Sequence, residues 1–150
     1  MSGTRDTSAA FTAAQEPSAS GSPVSLPDLA AVIGMGRSGI GAARLLQALG
    51  ERVVLLESRS TETMQKQAAQ LRRQGINVQL NQGLDLDAIL ALGADLKRVV
   101  VSPGIRWDHP VLEALRARGI DVQGEVEPAW HASRPVPWIG ITGTNGKTTV

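Results

Sequence analysis

The chain has 150 residues, a mass of 15.8 kDa and a formal net charge of +1, enough for one ordinary domain with a single core. It has no cysteine, which excludes a disulfide scaffold, a thiolate metal site and a cysteine nucleophile. Balanced charge and 3% aromatic residues offer no bulk electrostatic case for nucleic acid or an anionic membrane surface and no platform of stacked rings, and no apolar run approaches the ~20 residues that span a bilayer.

Residues Met1 to Leu26 are dominated by Ser, Thr, Ala, Gly and Pro. Such a segment buries too little apolar area to offset its ordering entropy, and it reads as a disordered leader. A secretory signal needs a basic start and an apolar stretch of about 7–15 residues, but Arg5 is followed at once by Asp6 and no such stretch comes. The segment is also too poor in Arg for a transit peptide. A cytoplasmic protein is expected.

From residue 28 the pattern alternates strand and helix. Leu29 to Ile33 is an apolar run stopped by Gly34, as in a strand buried on both faces. Ser38 to Leu49 places Ile40, Ala43, Leu46 and Leu49 at helical spacing, and Gly50 stops it. Arg52 to Leu56 is a second apolar strand, and Thr61 to Gln74 a polar helix closed by Gly75. Ile76 to Leu80 alternates with period two, as a half-exposed strand does. Leu86 to Leu92 is a short helix, and Val99 to Val101 a buried strand that runs into Ser102-Pro103-Gly104. Pro110 to Arg118 is a helix with proline in its favoured first turn, and Ile120 to Val122 a short strand after Gly119. Trp138 to Thr142 is a last strand before another glycine turn. Alternation of this kind implies an α/β fold, a mostly parallel sheet with flanking helices. No internal repeat is visible.

Two glycine turns carry the chemistry. Gly34-Met35-Gly36-Arg37-Ser38-Gly39 is a G-x-G-x-x-G directly after a strand and before a helix. Gly34 allows the tight turn, Gly36 lets a phosphate reach the backbone, and Gly39 lets helix and strand pack closely. The helix that follows presents free N–H groups and a positive dipole end to an anion. Glu57, at the end of the second strand, stands where a dinucleotide fold keeps its ribose-binding acid, so a nicotinamide site is the first reading. Ser58 and Arg59 follow, and the arginine suits a polar or anionic ligand, or a plain surface ion pair.

The second turn is Gly143-Thr144-Asn145-Gly146-Lys147-Thr148-Thr149. Its glycines free backbone N–H groups for phosphate oxygens, Lys147 adds charge at the terminal phosphates, and the Thr148 hydroxyl suits a Mg²⁺ position. It departs from the strict phosphate-loop pattern, since Ile141 stands five residues before Gly146. A Mg–nucleotide site here argues against hydride transfer.

These features together resemble a Mur ligase, one of the ATP-dependent amino-acid-adding enzymes of peptidoglycan synthesis. The residues that carry the resemblance are Val32 to Gly39, Ser102-Pro103-Gly104-Ile105 with His109-Pro110, Gly119 to Glu127, and Ile141 to Thr149. They are most similar to the member that adds D-glutamate. The member that adds L-alanine usually has His where Asn145 stands and lacks the Ser-Pro-Gly-Ile stretch; another amino-acid-adding member is the alternative within the family. Pro128 departs from the family, where an aliphatic residue is usual, and implies a small local change in its helix.

The resemblance implies a Rossmann-like first domain over residues 27–134 that holds the UDP part of UDP-N-acetylmuramoyl-L-alanine, and the start of a central P-loop ATPase domain over 135–150. Arg37 and Ser38 match positions near the diphosphate, Glu57, Ser58 and Arg59 the loop around the uracil, and Ser102 a serine that faces the nucleotide. Lys147 and Thr148 match the ATP-phosphate and Mg²⁺ positions, with Lys147 the expected catalytic residue. The implied reaction makes an acyl phosphate from ATP, which the amine of D-glutamate attacks. The sequence ends at Val150, so the expectation is a first domain plus the opening of the next, inactive alone as a ligase and part of a monomeric protein. Two other readings stay open: a nucleotide- or NAD-binding regulatory module, and an interaction fragment with no ligand site.

Three further features have plain structural readings. Asp108-His109-Pro110 is a helix start rather than a catalytic histidine. Glu125 and Glu127 cannot share a helix face and read as surface acids. Trp107, Trp130 and Trp138 read as packing or domain-interface residues.

Overall fold

The computed structural model describes residues 26–134 and 136–140. Residues 1–25 of the expected leader, and the whole second glycine turn with Lys147 and Thr148, lie outside the described residues.

Leu29–Ile33 forms β1, buried along its entire length. Its neighbours explain that burial. β2 (Arg52–Glu57) pairs with it in parallel on one side and β4 (Leu96–Val101) on the other. β3 (Asn77–Leu80) adds outside β2 and β5 (Asp121–Gly124) outside β4, all parallel. The sheet order is thus β3-β2-β1-β4-β5. The chain moves outward from β1 to β3, returns to the other side of β1, and moves outward again, which makes the β1–β4 boundary a topological switch point.

Alternate strand residues feed two cores. Ala30, Val32, Val53, Leu55 and Val100 face α1 (Arg37–Ala48) and α2 (Glu62–Arg73), which contribute Leu46 and Leu71. Ala31, Ile33, Leu56, Val99 and Val101 face α3 (Leu86–Leu90) and α4 (Pro110–Ala117), which contribute Ile89, Leu112 and Leu115. α5 (Val126–Ala132) packs against α1 and buries Pro128. Pro128 sits in the first turn of α5, where it costs no helical hydrogen bond. Leu46, Leu112 and Leu115 are fully buried, each worth about 1.5–3 kcal/mol of apolar transfer.

The helix ends follow local chemistry. Thr61 caps α2 by accepting the Met64 N–H at 3.3 Å, and Asp85 caps α3 by accepting the Ala88 N–H at 2.8 Å. His109 caps α4: its Nδ1 accepts the Val111 N–H at 3.2 Å ahead of Pro110. The capping reading of that histidine holds, while Asp108 turns to Arg106 at 2.6 and 3.0 Å. Glu125 starts α5, and Glu127 pairs with His131 at 3.8 Å, so the two acids do not form a carboxylate pair.

One expectation needs correction. Trp138–Gly140, the described part of the expected last strand, has no regular structure. Ile139 is 89% exposed, and no described strand lies beside it to pair its backbone. The three tryptophans pack at the surface. Trp107 lies under the Arg116 guanidinium, Trp130 under that of Arg134, and Trp138 donates its indole N–H to Ser133 Oγ at 2.7 Å; all three remain substantially exposed. Among the described residues no helix is long and apolar enough to cross a membrane.

Candidate functional site

Sheet register assembles the site. Ile33 pairs with Leu56 on one side and with Val101 on the other. The next residues, Gly34, Glu57 and Ser102, therefore emerge side by side at the carboxyl ends of three neighbouring strands, at the switch point. Ligands of open α/β sheets bind in this position.

Gly34, Glu57, Ser58, Arg59 and Ser102 line one cleft of about 270 Å³. Its remaining wall comes from Gly83, Leu84 and Ile105, over the strand-end residues Ile33 and Leu56. The turn residues beside it have separate reasons to be glycine. Gly34 has φ +103° and its N–H bonds the Leu56 carbonyl at 2.8 Å; a Cβ on it would stand 2.6 Å from Ser102 Oγ. A Cβ on Gly39 would stand 2.0 Å from the Gly34 carbonyl oxygen. Gly36 differs from both. Its φ is −76° and a Cβ would meet nothing within 4 Å. Neither backbone strain nor packing requires glycine there, so the bare backbone is left open on its outer side.

Gly36 is the N-cap of α1 and offers no side-chain cap. The first turn of α1 has no acidic residue, and Arg37 forms no ion pair among the described residues, so the helix start combines free N–H groups with positive charge. Arg37 and Ser38 are exposed and lie outside the cleft. Ser38 opens instead onto a neighbouring apolar groove with Leu45, Val126 and Trp138. The structure thus brings the expected residues together as two adjoining parts, a cleft and the helix start beside it.

Ser102 donates its hydroxyl to the Ile33 carbonyl at 2.9 Å, and its own N–H reaches the same oxygen at 3.2 Å. The Ser-Pro-Gly turn then closes when the Ile105 N–H meets the Ser102 carbonyl at 3.0 Å, which directs Ile105 to the cleft. Glu57 is 5% exposed and points toward the first turn, where it accepts the Met35 N–H at 2.9 Å. Burial opposes its ionisation, but the N–H groups of Met35 and Arg59 and the Arg59 guanidinium outweigh that and hold its carboxyl below the ordinary glutamate range. Arg59 remains largely exposed over the opening.

Gly83, Leu84 and Ile105 were not among the expected site residues. A signal exists for the first two: Asn81-Gln82-Gly83 is a turn after a strand of the same sheet, and loops at that sheet end build sites. Asn81 takes φ +58°, and Gln82 then bonds the Glu57 carbonyl at 2.9 Å, which brings the loop to the cleft. A larger cleft of about 420 Å³ beside β5 and α5 is lined by Arg98, Asp121, Gln123 and His131, but it holds none of the motif residues. No group of three or more metal-ligating side chains gathers among the described residues.

Residues 28–124 match the family model of the Mur ligase MurD-like N-terminal domain. The chain is 57% identical over 119 residues to a UDP-N-acetylmuramoylalanine–D-glutamate ligase of Prochlorococcus marinus (strain MIT 9313), an alignment covering 79% of this chain and 26% of that protein. It is 54% identical over 119 residues to the ligase of the same name in Parasynechococcus marenigrum (strain WH8102), with the same coverage. Against the one in Thermosynechococcus vestitus (strain NIES-2133 / IAM M-273 / BP-1) it is 48% identical over 119 residues, again 79% of this chain and 26% of that protein. The chain spans about a quarter of the length of these curated relatives. With the family model matching residues 28–124 and these relatives about half identical over 79% of the chain, the chain belongs to the MurD-like family of Mur ligases, as its N-terminal domain.

Proposed function

We propose that this domain binds the UDP part of UDP-N-acetylmuramoyl-L-alanine for an ATP-dependent ligase that adds D-glutamate to it. The observation that carries the reading is the convergence of Gly34, Glu57–Arg59 and Ser102 on one cleft beside the open start of α1. The cleft is at the small end for a ligand site and suits the uracil with part of its ribose. The diphosphate then lies outside it, against Gly36, Arg37 and Ser38, where free N–H groups and the helix dipole favour negative charge. Gly39 supports that turn from within. Names of the relatives support the substrate and the amino acid added.

The ATP site is assigned to Gly143, Thr144, Asn145, Gly146, Lys147, Thr148 and Thr149, which lie outside the described residues. Their donor set is that of a phosphate loop: backbone N–H groups and Lys147 for ATP phosphates, the Thr148 hydroxyl for Mg²⁺. ATP, when bound, supplies the phosphoryl group that activates the substrate carboxylate. In this reading Lys147 holds charge at the transferring phosphate, and the domain of residues 27–134 fixes the other end of the substrate. The compartment is the cytoplasm, where ATP and UDP-linked precursors meet.

Calorimetric titration with UDP-N-acetylmuramoyl-L-alanine, with NAD as the control, tests this. Heat with the UDP ligand and none with NAD is expected. Binding of NAD in its place overturns the reading.

A further inference from the structure

Glu57 occupies the position from which an acid normally takes the ribose hydroxyls of a dinucleotide. In this chain its carboxylate is already engaged. Oε2 accepts the Met35 N–H at 2.9 Å. Oε1 accepts the Arg59 N–H at 3.1 Å, the Arg59 Nε–H at 3.2 Å and the Ser58 hydroxyl at 3.3 Å. A carboxylate has about four lone-pair positions; three protein donors crowd onto Oε1 and one sits on Oε2. The residue is also buried. A ligand hydroxyl could bond Oε1 only by displacing one of its three donors and leaving it unpaired, which cancels the gain, while Oε2 is turned to the Met35 N–H in a residue only 5% exposed.

The four donors come from two different segments. Met35 lies between Gly34 and Gly36 in the phosphate-side turn, whereas Ser58 and Arg59 form the loop over the cleft. One buried carboxylate therefore fixes the distance between the two parts of the site. Its bonds to N–H groups are charge-assisted, which makes them stronger than neutral ones, and the one to Met35 is the shortest at 2.9 Å.

We propose that Glu57 is a positioning residue: it sets the glycine turn and the Ser58–Arg59 loop in register for a uridine diphosphate and does not itself touch the ribose. The proposal deepens the UDP-binding reading above and rests on it. Base and phosphates then carry recognition on this side of the site. A nicotinamide dinucleotide, by contrast, finds no free acid for its ribose.

The test is a cycle of calorimetric titrations on the chain and its Glu57→Gln variant, with UDP, 2′-deoxy-UDP and 3′-deoxy-UDP as probes. Amide exchange at Met35 is followed by NMR in the same samples. Glutamine keeps the shape but turns an NH₂ toward donors. The expected result is a Met35 amide that exchanges slowly in the parent and fast in the variant. UDP and both analogues weaken by the same factor, about tenfold or more, matching within about twofold. A hydroxyl preference present in the parent and lost in the variant overturns the proposal, because Glu57 then touches the ribose. Unchanged UDP affinity in the variant, or a Met35 amide unprotected in the parent, also overturns it. No binding of UDP by the parent brings down the UDP-binding reading itself, a pattern distinct from either. Should Glu57→Gln not fold, Glu57→Asp takes its place in the same cycle, with the charge kept and the reach shortened.

Discussion

A Cβ placed on Gly39 would stand 2.0 Å from the carbonyl oxygen of Gly34. The atom it meets is backbone, and that backbone is held in place because the Gly34 N–H bonds Leu56. Neither side has a flexible end that can move aside. Gly39→Ala is expected to destabilise the domain by about 1–3 kcal/mol, toward the upper value, as overpacking of a rigid contact does. Urea denaturation reads this directly, as a lower midpoint with an unchanged slope.

Gly36→Ala makes the opposite case. A methyl group there meets no atom and φ is ordinary, so the fold should lose no more than the difference between Gly and Ala as an N-cap, under about 1 kcal/mol. The methyl does occupy the outer side of the turn, where a phosphate would approach. Binding of UDP-N-acetylmuramoyl-L-alanine should weaken about tenfold to a hundredfold, the worth of a lost charge-assisted hydrogen bond. A variant that binds normally would show that the diphosphate lies elsewhere.

The sequence patterns that announce the elements are the ones with a simple physical origin. Buried-on-both-faces strands read as apolar runs, which is why β1, β2 and the end of β4 are visible as Leu29–Ile33, Val53–Leu56 and Val99–Val101. Helices α1, α2 and α4 each stop two residues before the glycine that the sequence offers as a C′ residue, Gly50, Gly75 and Gly119. Strand order is different in kind. No residue in β4 states that it pairs with β1 and not with β3, and only the packed sheet brings Ser102 beside Gly34. The direction of Glu57 is equally silent in the sequence, because an acid at a strand end suits both a ligand and a neighbouring turn. Trp138 and Ile139 read as strand residues by their apolarity, yet without a described neighbour they stay exposed.

Acidity should report on Glu57. Its carboxyl is held below the ordinary glutamate range in the folded chain, so the folded state binds this proton less readily than the unfolded one. The resulting stability is fully present above the unfolded value and is lost as pH falls through the range down to the folded value. Urea midpoints for the parent and Glu57→Gln should therefore differ most near neutrality and converge on acidification through that range. A difference that stays constant with pH would mean that the ionised carboxylate is not what stabilises the turn.

Asn81 is the non-glycine residue with positive φ among those described, at +58°. That conformation turns the chain after β3 so that Gln82 bonds the Glu57 carbonyl. Asparagine tolerates it and a β-branched residue does not. Asn81→Val should cost about 1–2 kcal/mol and loosen the Gly83–Leu84 wall, while Asn81→Gly should leave stability within about 0.5 kcal/mol. Thermal midpoints of the two variants separate backbone strain from loss of the side chain.

Gly83 closes the argument about the cleft, because it is glycine for space alone. No positive φ is imposed on it, and a Cβ would lie 3.2 Å from the Ser58 Cβ. That contact is tight by only a few tenths of an ångström, and Ser58 is exposed and able to give. Gly83→Ala should therefore fold normally but push the Ser58–Arg59 loop across an opening of about 270 Å³. A larger side chain, as in Gly83→Val, should narrow it further. If the cleft holds the base, affinity for UDP-N-acetylmuramoyl-L-alanine falls in the order Gly, Ala, Val at position 83, while the dissociation constant of inorganic diphosphate, which needs only the helix start, is the same in all three when obtained by competition. Parallel losses for both would instead place the damage in the phosphate-side turn, and no loss for either would move the base out of this cleft.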